Sequence, residues 1–119
     1  MKIAVTSTGK NLDSSVDPRF GRAAYILIVD NDTMEFEVLD NAENVNAFKG
    51  AGIQAAVSVG QKGAGVLMTG YCGPNAFRTL QAAGVKVVND VSGTVRSAVE
   101  GFNANKVSYS DEPNVDGHW

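Results

Sequence analysis

The sequence predicts an α/β domain: a mixed five-stranded sheet of order 3-2-1-4-5, strand two antiparallel, with three helices in three layers. Three observations carry that prediction. Short β-branched runs recur along the chain, and the second and third of them are joined by a tight polar turn. From residue 51 the apolar period changes from two to that of a helix, after which helix and strand alternate.

Lys2-Ile3-Ala4-Val5-Thr6-Ser7 reads as a buried first strand, and the polar stretch from Thr8 to Asp17 as a mobile loop. Ala24 to Asp30 is apolar and β-branched, the strongest strand signal in the chain. Asn31-Asp32-Thr33 turns the chain, and Met34 to Leu39 alternates apolar with acidic, which predicts one buried and one wet face. Ile53, Ala56, Val57 and Val59/Gly60 recur at helical spacing, predicting a helix over 49–61 that ends at Gly60 or Gly63. Val66 to Thr69 is a short fourth strand. Gly73-Pro74-Asn75 opens a second helix with proline in its first turn, Ala76, Phe77, Leu80 and Ala83 facing the core, and Gly84 stops it. Val85 to Val88 is the fifth strand. Ser92-Gly93-Thr94 caps a third helix with Val95, Ala98, Val99 and Phe102 on its buried stripe. Residues 1–105 thus form one domain, and 106–119, without periodicity, read as a flexible tail.

Right-handed crossovers make strands one, four and five parallel, so strands one, three, four and five all end on one edge of the sheet. Four loops meet there: Ser7 to Arg22, Asp40 to Gly52, Thr69 to Asn75 and Asn89 to Thr94. Open α/β sheets bind ligands at the carboxyl ends of their strands. Three of these loops run into helix amino-termini, where unpaired N–H groups favour anions. Gly50, Gly52, Gly70, Gly73 and Gly93 would let backbone approach a ligand. Arg19 and Arg22, two of the four arginines, stand three residues apart on this edge, with Lys10 upstream.

Composition narrows the chemistry. The chain has 119 residues, 44% hydrophobic and 19% charged, with thirteen acidic and ten basic side chains, a net charge of −3. That is an ordinary globular balance, and it lacks the basic excess of a nucleic-acid binder. One cysteine, Cys72, and one histidine, His118, preclude an internal disulfide, a Cys/His zinc site and a four-thiolate iron–sulfur site. The longest uncharged run, 63–77, is short and broken by Gly and Pro, so no membrane span is expected. Met1-Lys2 leads straight into the first strand without an apolar leader segment, which makes the cytoplasm the expected location.

Each edge residue also has a structural reading. Arg19 can pair with Asp13 or Asp17, and Arg22 with Asp30 or Glu37. Cys72 reads equally as a small buried hydrophobe or as a ligand whose thiol pKa is lowered by the neighbouring helix terminus. Phe20 reads as core before pocket floor. Asp111, Glu112, Asp116 and His118 read as a solvated tail.

The run 16–23, Val-Asp-Pro-Arg-Phe-Gly-Arg-Ala, following a Lys-Ile-Ala-Val strand, resembles the dinitrogenase iron–molybdenum cofactor biosynthesis family. So do the runs 50–56, Gly-Ala-Gly-Ile-Gln-Ala-Ala, and 69–77, Thr-Gly-Tyr-Cys-Gly-Pro-Asn-Ala-Phe, and the helix opened by Gly93-Thr94-Val95. The resemblance covers about residues 1–105 and implies a ribonuclease H-like fold. It also implies a carrier, not an enzyme, holding a molybdenum–copper or iron–molybdenum sulfide cluster without covalent ligation. The residues it marks for that cluster are Lys10, Arg19, Phe20, Arg22, Gly50, Gly52, Gly70, Tyr71, Cys72, Gly73, Asn75 and Thr94, with Tyr71, Phe20 and Met68 covering sulfur. Cys72 is the one candidate metal ligand. Expected partners are a cluster donor or acceptor protein, with the chain itself monomeric. Two other classes stand beside this reading: an interaction module without its own cofactor, and a phosphate-handling or nuclease-type enzyme. The first strand carries no acid, which disfavours a two-metal nuclease.

Overall fold

The computed structural model describes residues 1–41 and 50–113. Within them β1 (Lys2–Ser7), β2 (Tyr25–Asp30), β3 (Phe36–Asp40), β4 (Val66–Met68) and β5 (Lys86–Val88) form one sheet of order β3-β2-β1-β4-β5. β2 is antiparallel to both neighbours, while β4 and β5 run parallel to β1. Three helices complete the described residues: α1 (Ala51–Gln61), α2 (Pro74–Ala82) and α3 (Val95–Asn103). Order and strand directions are those the sequence predicts. The expected start of α1 at Lys49 lies outside the described residues.

Because successive strand residues point to opposite faces, the central strands serve two cores. Ala4, Ile26, Ile28 and Leu67 face α1 and α2, where Ala55, Ala56, Val59, Ala76, Phe77 and Leu80 meet them. Ile3, Val5, Leu27, Val29, Val66 and Met68 face α3, packing against Val95, Ala98 and Val99. Burial on both faces explains why these strands read as unbroken apolar runs.

Three elements depart from the sequence expectation. In α1 the period holds but the face differs: Ala51, Gly52, Ala55, Ala56 and Val59 are buried, whereas Ile53 and Val57 are 37% and 42% exposed. Small residues face inward because the helices run close; a Cβ at Gly60 would stand 3.1 Å from that of Ala83. In β3, an edge strand, Phe36 and Val38 are exposed and only Leu39 packs on the core. The stretch 8–17, expected to be mobile, is tied down. Ser7 bridges Val16, Ser15 bridges Thr94, and Leu12 and Val16 are buried on the α3 side.

Beyond α3, Val107 packs against the α3-side core and the Ser110 N–H donates to the Val87 carbonyl at 2.7 Å, so the chain follows the β5 edge. No helix of the described residues is long and apolar enough to cross a membrane.

Candidate functional site

The three sequence motifs meet at the carboxyl ends of β1 and β4. Arg19 forms an isolated parallel bridge with Tyr71. The Phe20 N–H donates to the Tyr71 carbonyl at 3.1 Å, and the Tyr71 N–H to the Pro18 carbonyl at 2.6 Å. Beneath them the Thr6 hydroxyl donates to the Asp17 carbonyl at 2.6 Å and lies 2.9 Å from the Thr69 hydroxyl. The Asp17 carboxylate in turn accepts from the Arg19 N–H at 3.0 Å. Residues 16–21 are thereby strapped across the sheet edge.

That strap explains two of the motif glycines. A Cβ at Gly70 would stand 2.7 Å from the Pro18 backbone, and one at Gly21, whose φ is +95°, would stand 2.9 Å from Gly52. Gly52 and Gly70 are both buried. The expectation that they open backbone to a ligand is therefore corrected: they let backbone pack on backbone. Gly50, with φ +75° and nothing within 4 Å of its Cβ position, is the left-handed residue that starts α1. Gly73 is the buried, extended N-cap of α2.

The Asp17 carboxylate is buried in this packing, and the basic side chains lie at its rim. The Arg19 side chain is 53% exposed, with Nε 3.6 Å from the Asp17 carboxylate, a loose ion pair. Asp13, its other expected partner, pairs instead with Arg96 at 3.0 Å. Arg22 is half-buried one turn on, its N–H donating to the Arg19 carbonyl. Of its suggested partners, Asp30 lies at the far end of β2 and Glu37 pairs with Lys62 at 3.2 Å. Lys10 places its ammonium 5.5 Å from the centre of the Tyr25 ring, where β2 begins on this edge. Tyr71 is 41% exposed beside Arg19. Sequence reading missed Arg78, whose guanidinium donates to the Asn75 side-chain oxygen at 2.5 Å and so adds charge at the first turn of α2. Its i, i+3 spacing from Asn75 was the available signal.

The three helix termini are not equivalent. At α3 the Thr94 hydroxyl accepts from the Ser97 N–H and the Ser97 hydroxyl from the Thr94 N–H, each at 3.0 Å, a reciprocal capping box. The Val95 and Arg96 N–H groups donate to the carbonyls of Ser14 and Leu12. Thr94 is thus a structural cap and its terminus is closed, which corrects its assignment to the cluster site. Neither α1 nor α2 has a side-chain cap. At α2, Pro74 brings no N–H, and the donors of the first turn are Asn75 and Ala76.

Three apolar candidates are also corrected. Phe20 is fully buried in the core with Cys72, and Met68 is 1% exposed beneath α3, so neither presents a face to a ligand. Cys72 is fully buried too, its sulfur 3.7 Å from the Gly73 carbonyl. Burial pushes its thiol up to about 12, opposite to the lowering expected from the helix terminus. Enclosed and held protonated by burial, the thiol presents no exposed thiolate at this edge. Among the described residues no group of three His, Cys, Asp or Glu side chains could hold a metal ion, and His118 and Asp116 lie outside them.

Asn89, which sequence reading treated as plain loop, is unusual. Both polar atoms of its carboxamide are shielded from solvent and have no hydrogen-bond partner among the described residues. An unpaired buried polar group costs ~1–3 kcal/mol. A cavity of about 390 Å³ lies elsewhere, between the end of α2, β5 and residues 109–111.

Comparison with known proteins agrees with this arrangement. The chain is similar to the apo form of the orange protein from Desulfovibrio gigas, at 50% identity over 96% of each chain with a TM-score of 0.93. It is similar to a Thermotoga protein of the DUF35 family, provisionally described as NifB, at 35% identity over 98% of each chain with a TM-score of 0.82. A Methanocaldococcus jannaschii structure, 14% identical over 95% of this chain and 97% of its own with a TM-score of 0.69, shares the fold. No curated protein matches. The family profile for the dinitrogenase iron–molybdenum cofactor matches residues 1–105, the span that holds all three converging motifs. By that match and by the packing of those motifs on one sheet edge, the chain belongs to the dinitrogenase iron–molybdenum cofactor family.

Proposed function

We propose that this chain binds an anionic metal–sulfide cluster, of molybdenum–copper or iron–molybdenum type, without covalent ligation, and carries or stores it without catalysing a reaction. One observation carries the reading. The edge where the motifs meet offers the half-exposed Arg19 guanidinium beside exposed Tyr71, while the one thiol beneath is sealed and neutral.

A sulfide-bridged cluster is a polyanion that brings its own sulfur ligands, so its carrier needs positive charge, N–H donors and a polarizable surface. Arg19, Arg22 and Lys10 supply the charge, joined by Arg78 at α2. The first turns of α1 and α2 add partial positive charge and N–H donors, and charge-assisted bonds of this kind are about twice as strong as neutral ones. Tyr71 supplies the surface. Family membership and 50% identity to the orange protein support the same reading. A carrier implies a donor or an acceptor protein, with this chain acting as a monomer. A single cysteine, which forms no internal disulfide, suits a reducing compartment such as the cytoplasm.

The test is the visible absorption spectrum and metal content of the protein purified anaerobically from its native host. Near-stoichiometric molybdenum with copper or iron, together with inorganic sulfide, is expected. Colourless, metal-free protein favours an interaction module instead.

A further inference from the structure

We propose that Asn89 is a positioning residue for the ligand of the motif edge. Its carboxamide, unpaired in the free protein, takes hydrogen bonds from the peptide groups of the adjoining 69–73 loop when that loop closes on a ligand. This rests on the cluster-binding reading above and adds to it a coupling between ligand and loop.

Position supports the assignment. Asn89 directly follows β5 and continues its register opposite Thr69, the first residue of that loop. Three backbone bonds clamp the two segments around it: Thr69 N–H to the Val88 carbonyl at 3.0 Å, Asp90 N–H to the Gly70 carbonyl at 2.9 Å, and Val91 N–H to the Thr69 carbonyl at 3.0 Å. Asp90 adopts a φ of 60°, uncommon for a residue with a side chain, so the turn that sets Asn89 is itself held against local preference. A carboxamide can both donate and accept, and here neither end is engaged. An amide that only supported the resting fold would be paired, because unpaired buried polar groups are rare and destabilising. The loop beside it carries Tyr71 and leads to the open α2 terminus. A small shift of its peptide groups would therefore connect Asn89 to the ligand without direct contact.

The test compares wild type with Asn89→Leu, a near-isosteric apolar replacement, and with Asn89→Ala. Thermal unfolding is measured without ligand, and binding by anaerobic titration with tetrathiomolybdate and copper(I). If the amide is unpaired, Asn89→Leu raises the free protein's Tm by a few degrees. If it serves the closed loop, both variants bind about tenfold more weakly. In wild type, ¹H–¹⁵N spectra should show amide shifts at residues 70–73 on ligand addition, absent in Asn89→Leu. A lowered Tm in both variants means the amide is already paired, and unchanged binding means it is idle; either overturns the proposal. Should wild type bind nothing, the cluster-binding reading fails and this coupling with it, while the Tm comparison still reports on the amide.

Discussion

Gly21 lies so close to Gly52 that a Cβ on the former would stand 2.9 Å from the Cα of the latter. Residues 31 positions apart in sequence thus meet backbone to backbone, and the seam joins the strap to the first turn of α1. Gly21→Ala adds a left-handed alanine to a backbone collision. Its unfolding free energy should fall by about 2–3 kcal/mol, lowering Tm by on the order of 10 °C. Calorimetry decides the matter: a loss under ~0.5 kcal/mol would mean the seam yields.

Arg19 stands apart from that packing. Its contact with Asp17 is long and its side chain over half exposed, so Arg19→Ala should leave Tm within about 1 °C. Tetrathiomolybdate–copper uptake by the same variant should weaken several-fold. A large drop in stability would make this arginine a structural residue instead.

Cys72 gives a stability-versus-pH signature. The folded thiol is pushed up to about 12 from an ordinary value of 9.0, by burial alone. Between those values the unfolded chain has lost a proton that the folded chain retains, so stability falls as pH rises above about 9. The slope should approach 1.4 kcal/mol per pH unit. Denaturant titrations of wild type and Cys72→Ala should converge over this range, the variant lacking that slope. Iodoacetamide should leave folded wild type unmodified at pH 8. Rapid alkylation would show that the thiol is reachable.

Thr94 separates structure from function at a helix terminus. Thr94→Ala should cost about 1 kcal/mol through loss of the capping box. Cluster uptake should be unaffected, because the α3 terminus is already closed by Leu12 and Ser14. Impaired uptake in a folded variant would return that terminus to the site.

Strand order and helix positions were legible in the sequence because period and punctuation are local: Asn31–Thr33 had to turn, and Gly73-Pro74 had to start a helix. What stayed hidden depends on distance between elements. Ile53 and Val57 have the hydrophobicity of a core stripe, yet the buried face of α1 is made of Ala51, Gly52, Ala55, Ala56 and Val59, mostly small residues that let α1 approach α2. Leu12 and Val16 look isolated in a polar loop until α3 is placed under them. Arg19, Arg22 and Tyr71 were found at the sheet edge because topology alone brings those loops together. Topology could not show that Gly52 and Gly70 face backbone, that α3 is already capped, or that Cys72 is sealed.

The central claim is that the motif edge holds an anionic cluster by charge and N–H donors, with no thiolate. Anaerobic titration of metal-free protein with tetrathiomolybdate and copper(I), followed by visible absorption, tests it most directly. Wild type and Cys72→Ala should both give a coloured, stoichiometric complex, and the Arg19→Ala/Arg22→Ala double variant should take up far less. Equal uptake by the double variant, or loss of uptake in Cys72→Ala that still folds, would contradict the account.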